Sequence, residues 1–354
     1  MNAQIEKILE VAKFAPSGDN AQPWRFQVKG ETIEVYNDES VDNSLYNYNQ
    51  IASYIAIGAV IENIMIVARS FGYAARSEFN TDSNSYLISR VYLSSIKPQE
   101  DELFSSILNR ATNRKPYEKE YKLTNDQLRY LLDSSRDIGD GIIKIIVEKQ
   151  KITELAKIAS KNEMIVLENK RLHDYLFEHI RWSQEEAEKT GNGMHIDTFE
   201  FNPIQKNIFK LFKKWETLSF FNKLGVAKFI ARESAAIYSL SSAIGVIVVH
   251  GNIRHDYFLG GRLMQRIWLK ATKLGLNMQL LTGVTLLHQR LNIGEDSGFS
   301  SEHNEILKNE YKKVMKIFSL KNETIVMMFR IGRGNSATRK TTRLPLNSLL
   351  IKER

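Results

Sequence analysis

Residues 51–72 read IASYIAIGAVIENIMIVARSFG. Apolar side chains fall on almost every side of a helix drawn through Ile51–Phe71, which predicts a central helix buried all round, stopped by Gly72 in the C-cap position. The same skeleton returns at an offset of 203: Tyr54, Gly58, Ala68 and Gly72 become Tyr257, Gly261, Ala271 and Gly275. The apolar positions keep register, with Ile55 matched by Phe258, Val60 by Leu263 and Ile64 by Ile267. Two unrelated buried helices can share small residues and a Gly stop. The sustained register favours a tandem duplication in which each half contributes a central helix.

The rest of the chain suits that scale. Its 354 residues are enough for two modest domains, and 43% hydrophobic with 25% charged residues is ordinary for a globular protein. There is no cysteine, which excludes disulfides, thiolate metal sites and cysteine nucleophiles. No apolar run reads as a bilayer span, and Met1–Glu10 reads as an amphipathic helix start rather than a signal peptide, so a cytoplasmic location is expected. The net charge of +8 is spread over the chain. It suits an anionic cofactor better than nucleic acid, and neither nucleic acid nor a membrane is expected as partner.

Outward from the first central helix, residues 4–14 carry a helical apolar pattern, and Arg25–Lys29 with Thr32–Tyr36 read as a hairpin around Gly30. Tyr86–Leu93 alternates as a strand, and Lys97-Pro98 begins a linker. A second unit begins near Glu102, with a helix capped by Thr124, strands at Ile142–Val147, Ile244–Val249 and Thr324–Ile331, and a long helix over Tyr257–Leu274. Residues 151–240 are mostly helical by pattern, broken at Gly191-Asn192-Gly193 and restarted at Pro203. The basic tail 332–354 reads as a loop that docks through Leu344, Leu346, Leu349 and Leu350.

Between the first helix and the hairpin lies Ala15-Pro16-Ser17-Gly18-Asp19-Asn20-Ala21-Gln22-Pro23-Trp24. Read alone it is a helix-to-strand loop. It resembles the A/S-P-S-x-x-N-x-Q-P-W segment of the nitroreductase family of flavin enzymes, where that segment packs against FMN. Gly58-Ala59 to Gly72 is similar to the family's central-helix pattern. The resemblance covers about 1–148 and 236–350. It implies an α+β, nitroreductase-like fold duplicated in one chain, an intramolecular pseudo-dimer of halves 1–100 and 101–354. The second half would hold a helical, lid-like insertion at about 150–235. The chain is similar in this to tandem flavin-binding nitroreductase-like proteins of mycobacteria.

The resemblance also implies a site. Arg110, Thr112 and Arg114 look like the family's Arg-x-Ser-x-Arg/Lys phosphate segment, and Thr342-Arg343-Leu344-Pro345 resembles a motif that places its Arg on the same phosphate. Guanidinium groups suit a phosphate dianion. Thr282 and Gly283 fall where the family presents backbone amides to the flavin edge, with Thr282 where a Glu is common. Pro16, Ser17 and Asn20 would contact the cofactor and Trp24 would pack behind. The first half starts too late to hold its own Arg segment, and Asp133–Gly139 lacks the Pro and Trp of the loop. Together the halves imply one complete site, hence one FMN per chain, with no metal. The implied activity is NAD(P)H-dependent reduction of a nitroaromatic, quinone or similar acceptor. The alternatives are an FMN store covered by the middle helices and a basic nucleic-acid-binding protein. No catalytic residue is nominated. His179 and His195 read as packed positions, and the chain is expected as a monomer or a further homodimer.

Overall fold

The computed structural model describes residues 2–139, 141–291 and 297–351, so Met1, Asp140 and the ends of the expected tail and second half, 352–354, lie outside the described residues. The chain opens with α1 (Ala3–Ala12), capped by the Asn2 side chain, which accepts from the Ile5 amide at 2.9 Å. Ile5, Ile8, Leu9 and Ala12 recur at helical spacing and form its buried face. There follow β1 (Trp24–Lys29), β2 (Thr32–Asn37), α2 (Ile51–Ser70), β3 (Tyr73–Phe79) and β4 (Leu87–Ser95). The four strands form one antiparallel sheet in the order β1-β2-β4-β3. Strand β3 has no counterpart in the sequence reading. It lies at the sheet edge and carries Arg76, Ser77 and Glu78 with little buried surface, so the apolar alternation that marks a strand is missing.

After α3 (Phe104–Asn109) the pattern repeats. Helix α4 (Asn125–Leu132) starts at a capping box in which Thr124 and Gln127 satisfy each other's backbone amides. Strand β5 (Gly141–Ile146) leads into a helical insertion: α5 (Lys149–Ala159), α6 (Lys161–Glu168), α7 (Lys170–Glu178), β6 (Ile180–Arg181), α8 (Gln184–Thr190), β7 (Met194–His195), α9 (Pro203–Leu211), α10 (Trp215–Asn222) and α11 (Val226–Tyr238). The unit resumes with β8 (Ala243–Val249), α12 (Arg254–Lys273), β9 (Asn277–Leu280), α13 (Gly283–Arg290), α14 (Ser301–Ile317) and β10 (Thr324–Gly332), and the tail carries α15 (Leu346–Leu349).

The second sheet has the order β5-β8-β10-β9. Replacing β5, β8, β9 and β10 by β1, β2, β3 and β4 turns it into the first, with α4 for α1 and α12 for α2. The fold is α+β and duplicated. In the first unit β1 and β2 are joined by a tight turn at Gly30, whose φ of +59° suits glycine. The second unit places the whole helical insertion in that connection, and α13 and α14 stand where the first has the loop after β3. Both strand-flanking insertions therefore fall in one unit.

Helices α2 and α12 cross at the centre. A Cβ on Gly58 would lie 2.0 Å from the Phe258 carbonyl oxygen, and one on Gly261 would lie 2.0 Å from the Ile55 carbonyl oxygen. Phe258 and Gly261 stand 203 residues after Ile55 and Gly58, so the contact is reciprocal. Reciprocity is the mark of a two-fold interface, here within one chain. Near the crossing the Gln265 amide donates to Asn63 Oδ1 at 2.7 Å, both fully buried. The Glu62 carboxylate, also fully buried, pairs with Arg262 and Arg266.

One expectation needs correction. The segment Leu45–Ser70 does meet the length and apolarity of a membrane span, but 89% of its most apolar window is buried in protein. It is a core helix, apolar all round because it is covered by both units. The tail docks as its leucines suggested: Leu346 and Leu349 are buried, and Leu350 bridges in parallel to Phe26 on β1.

Candidate functional site

A cavity of about 490 Å³ opens between the two units and the insertion. That volume is within the range of cofactor and small-ligand sites. Pro16, Ser17, Asn20, Arg110, Thr112, Arg114, Thr282, Gly283 and Arg343 all line it, although they come from four separate stretches of chain. Their roles within it differ.

The loop after α1 is held by its own motif residues. Asn20 donates to the carbonyls of Gly193 and Thr342 and accepts from Arg343 at 3.0 Å. Gln22 donates to the carbonyls of Asn20 and Gly191, and its Oε1 accepts from the Leu344 amide at 3.0 Å. Asn20 and Gln22 thus clamp the loop to the insertion and the tail, and each has its amide group engaged by protein. Ser17 Oγ accepts from the Gln22 amide, which leaves its hydroxyl proton for another partner. Asp19, Asn20 and Gln22 all have positive φ, of 43°, 59° and 55°. Three such residues within four, none of them glycine, store backbone strain that the clamps sustain. Trp24 is fully buried behind the loop.

One end of the cavity is cationic. Arg110 is 7% exposed, stacks 4.4 Å over the Trp268 ring and donates to the Phe14 carbonyl, while its Nε has no partner. Burial, and then the nearby Arg343, push its pKa down to about 9. Arg343 donates to the carbonyls of Lys13, Phe14 and Ala15, which end α1, and burial lowers it to about 10. Lys340 is shifted down by burial and by Arg110. Among the described residues none of these three cations forms an ion pair. Arg110 is buried, Arg343 half-buried and Lys340 exposed beside them. Buried positive charge without a counter-ion is costly, and a bound anion would relieve it. Thr112 lies beside Arg110, where its hydroxyl has no protein partner among the described residues. Arg114 points elsewhere: it donates to the Thr198 carbonyl at 2.9 Å and lies over the Phe199 ring, against the insertion.

Thr282 and Gly283 line the cavity at the start of α13, whose first-turn amides have no partner within the helix. Gly283 has a packing reason as well, since an added Cβ would lie 1.9 Å from the Asn162 side chain. Asn162 in turn accepts from the Tyr46 hydroxyl at 2.8 Å.

The insertion supplies much of the remaining wall, including Val166, Leu167, Phe199, Phe209 and Ile237. It also brings polar groups that sequence reasoning did not single out. Tyr238 donates to Glu163 Oε1 at 2.6 Å, while Glu163 Oε2 is buried without a partner, and burial raises this carboxyl. Tyr175 donates to Asp42 at 3.2 Å. Asp19 is raised to about 6 by burial first and by the Asp42 charge second, with His179 and Arg114 opposing. The positions of Asp42, Glu163, Tyr175 and Tyr238 have no motif around them. Only Asp19, inside the opening loop, lay within a signal legible in sequence.

The histidines of the insertion serve packing. His173 bonds the Phe212 carbonyl at 2.8 Å, His179 stacks on Tyr175, and His195 accepts from Arg339 at 2.8 Å. No group of three metal-ligating side chains occurs among the described residues.

No protein-family model matches the chain. An uncharacterized protein of Mycobacterium tuberculosis is 21% identical over 283 residues, covering 79% of this chain. This chain spans about two fifths, 39%, of the length of that curated relative. Among solved structures, the FMN-dependent nitroreductase NfnB of Mycobacterium smegmatis, crystallised with NADPH, is similar at 10% identity and a TM-score of 0.41, covering 72% of this chain and 98% of that one. A nitroreductase with bound FMN from Bacteroides fragilis matches at 9% identity and a TM-score of 0.39, covering 72% and 100%. The chain is similar to nitroreductase-like proteins. These similarities are distant.

Proposed function

We propose that this protein binds one FMN in the cavity between its two units and acts as a flavin-dependent oxidoreductase. The observation that carries the reading is the cationic end of the cavity, where buried Arg110, half-buried Arg343 and the more exposed Lys340 gather without acidic partners beside apolar walls of the size a flavin requires. Arg110, with a free Nε, Lys340 and the Thr112 hydroxyl would hold the phosphate. Arg343 adds fixed charge and keeps the Pro16–Asn20 loop in place. Pro16 and Ser17 would face the ring system, and the amides at Thr282–Gly283 would meet its polar edge. Arg114 and Asn20 act mainly through the insertion they hold. When bound, FMN supplies hydride and single-electron transfer, and the protein's part is to position it and exclude water.

We take 1–100 and 101–354 as the two halves, with the division in the irregular segment between β4 and α3. The loop 133–139, which corresponds to the Pro16–Asn20 loop, is drawn onto α12 by Asp137, paired with Arg266 and Lys270. That closure supports a single site per chain. NAD(P)H is proposed as donor and a nitroaromatic or quinone as acceptor, with residues of the insertion shaping access. The test is the visible spectrum of the purified protein, followed by anaerobic NADPH or NADH. A flavin spectrum that bleaches supports the enzyme. A retained flavin that neither nucleotide reduces would leave binding intact and refute the oxidoreductase reading. Arg110→Met should weaken FMN retention by about 10- to 100-fold, the worth of one charge-assisted hydrogen bond. Unchanged retention would remove Arg110 from the phosphate site.

A further inference from the structure

Helices α9, α10 and α11 form the outer part of the insertion, and their outward faces are unusually apolar. On α9, Ile204, Ile208 and Leu211 recur at i, i+4 and i+7 and are 71%, 46% and 63% exposed. On α10 and the turn after it, Phe220, Phe221 and Leu224 are exposed, Leu224 by 72%, and α11 adds Phe229 at 62%. The inward faces are properly buried: Phe209, Leu218, Ala227 and Ala231 belong to the insertion's core. Ring contacts from Phe212 to Phe221 and from Phe221 to Phe220 join the end of α9 to α10. The insertion could be stable without these outer side chains, and scattered single apolar residues would need no explanation. Seven in 26 residues do.

Charge identifies the occupant. Residues 202–233 carry seven cations, Lys206, Lys210, Lys213, Lys214, Lys223, Lys228 and Arg232, against Glu216 and Glu233. That is +5 of the chain's net +8 in one surface segment. Lys206 pairs with Asp197, and the other six form no ion pair among the described residues. A second copy of the chain would present the same charge and repel. An anionic lipid surface is complementary to both features: lysines meet headgroups while Phe, Leu and Ile enter the acyl boundary.

We infer that the α9–α11 face docks the protein on anionic membrane surfaces. The inference does not depend on what the cavity binds. It does connect with it, because the inward sides of the same helices, through Phe209, Ile230 and Ile237, line the cavity. An apolar acceptor dissolved in the bilayer would thus lie one helix layer from the site. It also revises the expectation of no membrane partner, which treated the charge as evenly spread.

The test is co-sedimentation of the full chain with phosphatidylcholine vesicles, with and without phosphatidylglycerol. Binding should require the anionic lipid and fall steeply with salt. The triple variant Leu211→Asp, Phe220→Asp, Leu224→Asp should lose binding at least tenfold while keeping its circular dichroism, since all three side chains are exposed. Lys210→Glu with Lys214→Glu should weaken binding without altering the apolar surface. Binding of the wild type to neither vesicle at low salt overturns the inference. So does equal binding by the triple variant, or light scattering that shows a dimer dispersed by that variant, which would make the face a self-interface.

Discussion

Arg343 donates to the carbonyls that end α1 and to Asn20, more than 320 positions earlier in the chain. It therefore acts first on the loop and only then on whatever anion lies beside Arg110. Arg343→Met should loosen the loop as well as weaken FMN retention, and limited proteolysis near Ser17–Asn20 would report it. Arg110→Met should leave proteolysis unchanged. Asp19 offers a second test. Its carboxyl is raised to about 6 against an ordinary 3.8, so ionisation opposes folding, and the stability it contributes is present below about pH 4 and lost as pH rises through about 6. Cofactor-free Asp19→Asn should lose that slope and exceed the wild type by about 1–2 kcal/mol at pH 7 in urea unfolding. A wild-type profile with no slope between pH 4 and 6 would show that His179, Arg114 or water in the cavity offsets the burial of the carboxylate. At this scale the sequence told which residues gather and less about what each one faces. Pro-Ser-x-x-Asn-x-Gln marks the loop, but the clamping by Asn20 and Gln22 depends on Gly191, Gly193 and Thr342, which no local pattern ties to it.

Helices α2 and α12 are the elements that make two units one molecule. Gly58 and Gly261 let the backbones touch, and an added methyl at either would meet a carbonyl oxygen rather than a flexible side chain. Gly58→Ala and Gly261→Ala should each cost about 3 kcal/mol or more, read as a lower urea midpoint with an unchanged slope. Equal, small effects would mean that the helices can separate cheaply. Nearby, Glu62→Gln would leave Arg262 and Arg266 without their buried carboxylate, and a loss of about 3 kcal/mol is expected from thermal unfolding. These helices were legible because burial on all sides and a Gly stop leave a strong trace. Strand β3 left none, being short of apolar residues at an edge. Helices α13 and α14 lie where the first unit has only a loop, so the repeat leaves no trace of them.

Across the whole molecule, the two duplicated units wall the cavity from either side, and their asymmetry is the ground for proposing one site per chain. One unit keeps the plain β1–β2 turn and gives the Pro16–Asn20 loop. The other carries the arginines, and in its own first connection it carries the helices that cover the cavity. The fold and the gathering of Arg110, Thr112 and Arg343 could be read from repeats and motifs. The acidic and tyrosyl side of the cavity could not, since Glu163 and Tyr238 meet across 75 residues of a segment whose pattern says only helix. The most direct test of the composite site is titration of cofactor-free protein with FMN, followed by flavin fluorescence and absorbance at known protein concentration. One equivalent bound per chain, lowered in affinity by Arg110→Met, is the expected result; no saturable binding, or two equivalents per chain, would contradict it.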